Sequence, residues 1–193
     1  MASAKNRVSF GLSNMHYAVV TETVQDDGSI KTTYGTPKAW NGAVNLDLSQ
    51  EGSLDNFYAD DMAYYTVASN AGYSGSFESA LIPDDIYTEV FGMVKGEDGT
   101  TAEYSDAETK YIAIMFEVSG DAQKRKFCFY RCMLTRPNVG SSTTTDTKEV
   151  KTQSVDIKIS PRPDDRLVKV YADDDSASYA TWYDAVPVPS ARG

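Results

Sequence analysis

Several segments of this chain carry an apolar residue at every second position, with polar residues in between. An apolar period of two places one face of a β-strand against a core and leaves the other face in solvent. The pattern recurs as Val8, Phe10 and Leu12; Val44, Leu46 and Leu48; Ile112, Ile114, Phe116 and Val118; and Val155, Ile157 and Ile159. It predicts a mainly β protein, which the 13 tyrosines and 7 phenylalanines also favour.

Turn signals divide these strands into hairpins. The pair Asp27-Gly28 favours a tight turn between a strand at 16–24 and a partner at 30–34. The segment Leu167–Tyr171 is expected to form a hairpin with the strand at 155–159. In the strand from Lys126 to Thr135 the middle is apolar on both faces, which is typical of a strand covered on both sides or one that faces a neighbouring subunit.

Two short helices are predicted beside the strands. The first begins at Pro83, with acidic residues in its first turn and an apolar side formed by Ile86, Val90 and Phe91, and Gly92 is expected to end it. The second follows Asp173–Ser176. Its apolar residues have the helical spacing i, i+3, i+4 and i+7: Tyr179, Trp182, Tyr183 and Val186.

These elements predict a single domain over residues 1–193, because the length suits one hydrophobic core. The expected architecture is two packed antiparallel sheets in a β-sandwich or barrel-like arrangement, with a flanking short α-helix, a long loop and terminal arms. Cys128 and Cys132 would share one face of a strand, about 13 Å apart, too far for a disulfide. We therefore expect two reduced core thiols, which fit a reducing cytoplasm.

The residues do not assemble a recognisable catalytic or metal motif. His16 is the only histidine and is far in sequence from both cysteines, so neither a Cys-His nucleophile nor a zinc site is expected. Adjacent acids such as Asp84 and Asp85 lack the spacing of a calcium loop. The glycines form no phosphate loop. We expect no enzyme activity and no cofactor.

The chain is strongly acidic, with 28 acidic against 18 basic residues and a formal net charge of -10. A surface with this balance repels phosphate and anionic lipid, which argues against specific DNA binding and against membrane binding. The N-terminus also has no long apolar run, so neither a signal peptide nor a membrane anchor is expected there.

Residues 49–61 form a long acidic loop or an extended hairpin. The acids of this region occur with no Lys or Arg among them: Asp47, Glu51, Asp55, Asp60 and Asp61. Aromatic residues accompany them: Phe57, Tyr58, Tyr64 and Tyr65, with Tyr73 beyond. If the protein is a monomer, these aromatics belong to an ordinary hydrophobic core and its partly exposed edge. Otherwise the loop is a protein interface, because tyrosines beside acids on a long loop are common at assembly surfaces.

Four segments carry a resemblance to a known family. They are Gly11–Val19, Tyr34–Pro37, Phe57–Asp61, and Gly72–Gly75 continuing through Ala80–Asp84. In order and spacing they resemble the major tail proteins of long-tailed, non-contractile bacteriophages. The resemblance runs from about Val8 to Val186 and so covers nearly the whole chain.

The resemblance implies a tail tube subunit of the virion, made in the bacterial host cytoplasm. Six copies would close a ring, and rings would stack into a tube whose acidic lumen conducts DNA during ejection without binding it. Further expected partners are the tape measure protein and the tail terminator or tail tip proteins. The alternative from another class is a monomeric β-sandwich module that binds carbohydrate or protein.

The tube interpretation assigns positions to particular residues. Loop 49–61 would reach a neighbouring subunit or ring, with Phe57, Tyr58, Asp60, Asp61, Tyr64 and Tyr65 as candidate interface residues. Candidates for the acidic lumen wall are Asp26, Asp27 and Asp156. Residues 1–12 would form an N-terminal arm and residues 187–193 a C-terminal tail, both ordered on assembly.

Overall fold

The computed structural model describes residues 11–59, 62–120, 124–139 and 151–189. These ranges hold thirteen strands and one α-helix, α1. The strands are β1 Leu12–Val24, β2 Ile30–Tyr34, β3 Lys38–Ala39, β4 Ala43–Glu51, β5 Leu54–Ala59, β6 Met62–Ala68, β7 Gly72–Ser79, β8 Val94–Lys95, β9 Thr101–Ala102, β10 Ile112–Val118, β11 Lys126–Leu134, β12 Gln153–Ile159 and β13 Lys169–Ala172. Helix α1 spans Asp84–Glu89. The mainly β prediction with a short flanking helix is confirmed.

Most strands belong to one large antiparallel sheet. Its order is β2–β1–β10–β11–β12–β7–β4, with β3 also paired to β1 and β13 also paired to β11. The pairs β5–β6 and β8–β9 form two separate small sheets. The large sheet does not close into a barrel. Its outer strands are β4 on one side and β2 with β3 on the other, and the apolar strands β10 and β11 lie in the middle.

One face of the large sheet holds the main hydrophobic core. Alternate residues of the central strands point into it, among them Ile112 and Ile114 of β10 and Ile157 of β12. Helix α1 covers this core with Ile86, and the buried Val90 and Phe91 follow directly after the helix. Gly92 ends the helical segment in the left-handed conformation, at φ +70°. This part of the chain folds as predicted.

The opposite face of β10 and β11 carries a second core. Its buried residues include Ala113, Met115, Cys128 and Tyr130, and it is covered by the C-terminal segment with Trp182. A covered face on each side accounts for the apolar residues on both faces of β11. The cover comes from the same chain. Of the two predicted explanations for this pattern, a strand covered on both sides is therefore the one observed.

The predicted second helix is wrong, because residues 173–186 form successive turns instead. Their backbone bonds span three residues, as from Tyr179 N–H to Ser176 O. The buried Lys126 ammonium donates to the carbonyl of Tyr179 at 3.0 Å and lies 3.9 Å from the centre of its ring. An α-helix would direct that carbonyl to the N–H of Tyr183. The apolar spacing of this segment therefore reflects packing on the sheet.

A register shift in β11 corrects the prediction that the two cysteines share a face. Ile112 pairs with Cys132, whereas Ile114 pairs with Phe129, so β11 holds one extra residue. Because a one-residue shift moves the following side chains to the other face, Cys128 and Cys132 do not share a face. Cys128 lies in the second core and Cys132 in the main core, and both are free thiols.

The predicted hairpin between segment 167–171 and β12 is also wrong. Strand β13 pairs with residues 126–129 of β11, whereas β12 pairs with residues 132–134 and continues to β7. The two strands therefore follow one another along the same edge of β11. A short strand after a turn packs on whichever edge is open, and β12 already has a partner on each side.

Gly75 permits a close approach of two strand backbones. It lies in β7, paired with Ile157 of β12 and Leu48 of β4. A Cβ atom at this position would lie 1.8 Å from the carbonyl oxygen of Asp47. Glycine has no Cβ atom, so it permits this spacing of the β4 and β7 backbones.

We expect Gly75→Ala to lower the free energy of unfolding by about 2 kcal/mol or more, because β4 must move away from β7 to admit the methyl group. Urea unfolding of both proteins measures the loss. Ser76→Ala, on the solvent face of the same strand, is the matched control and should change stability by less than about 0.5 kcal/mol. Equal unfolding midpoints for Gly75→Ala and the parent would contradict this interpretation of the strand contact.

Candidate functional site

The described part of the acidic region, residues 49–59, belongs to an extended hairpin and is not a long loop. It includes the end of β4 and the whole of β5, which pairs with β6 and with no other strand of the described residues. In the backbone register Phe57 lies opposite Tyr65, and Tyr58 lies opposite Ala63. The shift between these pairs leaves Tyr64 as the extra residue.

The four aromatic residues of the predicted interface therefore fall on this hairpin. Phe57, Tyr58, Tyr64 and Tyr65 lie in the two strands of this hairpin. Asp60 and Asp61 stand between the strands in sequence and lie outside the described residues. The structure thus brings the four aromatic positions together on adjacent strands.

This hairpin, which we call the acidic arm (residues 54–68), continues the β4–β7 strand pair. The last pair of that ribbon joins Glu51 to Gly72. Beyond it, Ser53 and Ser69 close the root of the arm, with the Ser53 N–H donating to Ser69 Oγ at 2.8 Å. A Cβ atom on Gly52 would lie 2.1 Å from Ser69 O. The arm is therefore tied to the large sheet at its root.

The predicted lumen residues occupy two separate places. Asp156 lies on the exposed face of β12. Asp26 and Asp27 lie in the turn between β1 and β2, at the opposite end of the strand order. The Asp27 carboxylate accepts bonds from the hydroxyl and N–H of Ser29, at 2.6 and 2.9 Å, and these bonds lower its pKa. One subunit does not bring all three acids onto a common surface.

Asp156 belongs to a polar sheet face that spans β12, β7 and β4. In the paired register Asp156 lies beside Ser76, which lies beside Asp47. Two strand spacings separate the acids by about 9–10 Å. The same face carries Glu78 and Glu51, the latter paired with Lys158 at 2.8 Å. We call this surface the acidic sheet face.

Sequence reasoning did not select Asp47 and Glu78 for this surface. The alternation of Val44, Leu46 and Leu48 already places Asp47 on the polar side of β4. The alternation does not predict which strand lies beside β4, because strand order depends on pairing between distant segments.

His16 lies closer to Cys128 than their sequence separation indicates. His16 pairs with Met115, and Met115 pairs with Cys128, so the three form one row across three strands. Met115 stands between the imidazole and the thiol, and the imidazole is stacked on Tyr183 at 4.3 Å between ring centres. Burial raises the pKa of the Cys128 thiol well above its ordinary value, which disfavours the nucleophilic thiolate.

Within the described ranges, no group of three or more His, Cys, Asp and Glu side chains is placed to hold a metal ion. The described residues also contain no helix with the length and apolar character needed to cross a lipid bilayer.

A buried arginine organises the turn between β12 and β13. Arg162 donates to both carboxylate oxygens of Asp164, at 2.9 and 2.5 Å, and lies 3.2 Å from an oxygen of Asp165. Its guanidinium lies 5.6 Å from the ring centres of Tyr34 and Tyr130. The bonds from Arg162 hold the pKa of Asp164 well below its usual range.

No family model matches this chain, and no curated protein matches it. Among solved structures, a chain of the cryo-EM structure of the anti-feeding prophage baseplate matches with a TM-score of 0.46 and 9% sequence identity. The match covers 90% of this chain and 100% of that chain.

The Arg162–Asp164 pair makes stability depend on pH. The folded pKa of Asp164 is lowered, so its contribution is present above the unfolded pKa of about 3.9 and is lost as pH falls through the folded value. We expect Asp164→Asn to cost about 2–3 kcal/mol at pH 7, because Arg162 stays buried and charged, and to cost less at pH 3.

Urea unfolding midpoints of the parent and the variant at pH 7 and pH 3 measure this difference. Asp156→Asn, on the acidic sheet face, is the matched control and should have little effect at either pH. The same loss for Asp164→Asn at both pH values would contradict an ionic role for the pair.

Proposed function

We propose that this protein is a structural subunit of a phage virion, the major tail tube protein, and not an enzyme. Copies would close into hexameric rings, and the rings would stack into a tube that conducts DNA during ejection. In this proposal the tube meets the tape measure protein and the terminator or tip proteins at its ends. The observation that carries the proposal is the resemblance of four segments, in order and spacing, along nearly the whole chain.

The fold is compatible with this assembly. Among the described residues, the outer sides of β4 and of β2 and β3 have no strand partner, and closure of a ring would cover such edges with neighbouring copies. The acidic arm pairs with no other strand of the described part of the chain, so it is available to a neighbour. A subunit with open edges and an unpaired arm is suited to repeated contacts with copies of itself.

The charge distribution supports the conduit role. A lumen through which DNA slides must not bind phosphate, and a carboxylate-lined wall repels it. The acidic sheet face supplies such carboxylates, including Asp156 of β12 and Asp47 of β4 on either side of β7. We propose that this face lines the channel.

One prediction of this proposal concerns the acidic arm. The double variant Tyr58→Ala with Asp60→Ala should remain folded but polymerise poorly, because it removes an aromatic and a charged contact from the proposed interface. Negative-stain microscopy and size-exclusion chromatography measure assembly, and circular dichroism measures folding. The parent should form rings or hollow tubes.

The matched control is Tyr104→Ala with Asp106→Ala, which removes the same two residue types at the same spacing from an exposed connection. This control should assemble like the parent. Tubes of normal length from the Tyr58/Asp60 variant would refute the role of the arm. A persistent 21.2 kDa species that binds glycans would favour the monomeric module over the tube.

Another prediction of this proposal concerns the channel wall. In a cryo-EM map of the assembled tube, Asp47 and Asp156 should face the lumen. A wall lined mainly by Lys and Arg, or a map with both acids on the outer surface, would exclude the acidic sheet face as the lining.

A further inference from the structure

A depression next to the root of the acidic arm is lined by two arginines and no acid. Its volume is about 540 Å³. The lining residues are Asn70, Pro161, Arg162, Pro163, Arg166 and Val168. The lining itself has two cations and no carboxylate, and the acids Asp164 and Asp165 bind Arg162 from beside it.

Arg162 provides a fixed cation at this place. Its side chain is only 6% exposed, and Asp164 and Asp165 hold the Nε and Nη2 atoms. The Nη1 atom is buried and has no hydrogen-bond partner among the described residues. Because this atom is buried, Arg162 contributes a fixed charge to the depression, and the N–H donors open to a ligand are those of Arg166.

Arg166 provides a second cation with an open side chain. It is exposed, and its backbone N–H donates to Arg162 O at 3.0 Å, which holds the two residues in one turn. Its guanidinium forms no ion pair with any residue that the structure describes. The nearby acids Asp164 and Asp165 are already bound by Arg162, so Arg166 remains available to an external carboxylate.

The chain itself contains a matching anionic segment. From Asp47 to Asp61 it has five acids and no Lys or Arg, and its strand β5 pairs only with β6 among the described strands. The arm of a subunit lies next to its own depression, because Asn70 lines the depression and follows the end of β6. Two different surfaces on one chain, one acidic and one basic, are what a heterologous contact between copies requires.

We infer that the depression formed by Arg162 and Arg166 binds a carboxylate from the acidic arm of a second copy of this chain. Guanidinium groups suit this role, because their fork of N–H donors matches the two oxygens of a carboxylate. The inference rests on the proposed function, since it names the partner surface for the arm within that assembly.

Charge reversal at Arg166 tests the contact without removing the buried Arg162. Arg166→Glu should remain folded and raise the protein concentration needed for assembly by about tenfold or more, which corresponds to loss of one charge-assisted contact. Sedimentation of assembled material against protein concentration gives this value. Adding Asp60→Lys and Asp61→Lys on the same chain should restore assembly towards that of the parent.

Lys95→Glu is the matched control, because it makes the same charge change on an exposed strand of the separate β8–β9 sheet. It should assemble like the parent. Normal assembly of Arg166→Glu, in a parent that forms tubes, would overturn this inference and leave the proposed function standing. The inference would also be overturned if the added Asp60→Lys and Asp61→Lys substitutions failed to restore assembly of Arg166→Glu. Restoration of Arg166→Glu assembly by added DNA would overturn it as well.

A parent chain that stays monomeric at all concentrations would overturn both the inference and the proposed function.

Salt provides an independent readout, since a contact between exposed charges weakens as ionic strength rises. The parent should therefore assemble less readily at about 0.5 M than at about 0.05 M salt, with a smaller change for Arg166→Glu. An equal salt response in the two proteins would count against the contact.

Discussion

Burial on both faces of the central strands β10 and β11 is the constraint on which the rest of the structure depends. One face packs in the main core under α1, and the other packs in the second core under the C-terminal turns. Apolar surface on either face would remain in water without its cover, at a cost of roughly 25 cal/mol per Å². The helix and the C-terminal segment therefore cover opposite faces of the same two strands.

The C-terminal cover is held by specific contacts as well as by apolar burial. The Lys126 ammonium binds the Tyr179 carbonyl, and the Tyr130 hydroxyl donates to the carbonyl of Pro187. The beginning of the predicted C-terminal tail is thus bound within the subunit. Of the predicted N-terminal arm, Leu12 already lies in β1, and residues 1–10 and 190–193 lie outside the described ranges.

Away from the central strands only one face of the sheet is apolar, and the candidate assembly surfaces lie on this part of the sheet. Strands β12, β7 and β4 are apolar on one face only, which leaves the acidic sheet face in solvent. The β4–β7 ribbon then continues into the acidic arm, next to the depression lined by Arg162 and Arg166. In the proposed assembly, acidic and basic surfaces at different places on one chain would favour repeated, directional contacts between copies.

The sequence by itself determined the local elements of this protein. Alternation of apolar residues located β4, β10 and β12, the Asp27-Gly28 turn located the first hairpin, and Pro83 with Gly92 bounded the helical segment. These signals are local, because they depend on strand periodicity, turn geometry and helix ends. The sequence also marked the acidic, aromatic segment as a separate feature, although it did not choose between a loop and a hairpin.

Only the tertiary structure decided which elements lie together. The extra residue in β11 separated Cys128 from Cys132, and the edge left open on β11 received β13, where sequence spacing had indicated a hairpin with β12. Packing on the sheet, with Lys126 bound to the Tyr179 carbonyl, replaced the predicted second helix with turns. The acidic sheet face and the arginine depression likewise depend on contacts between distant segments, for which no local pattern exists in the sequence.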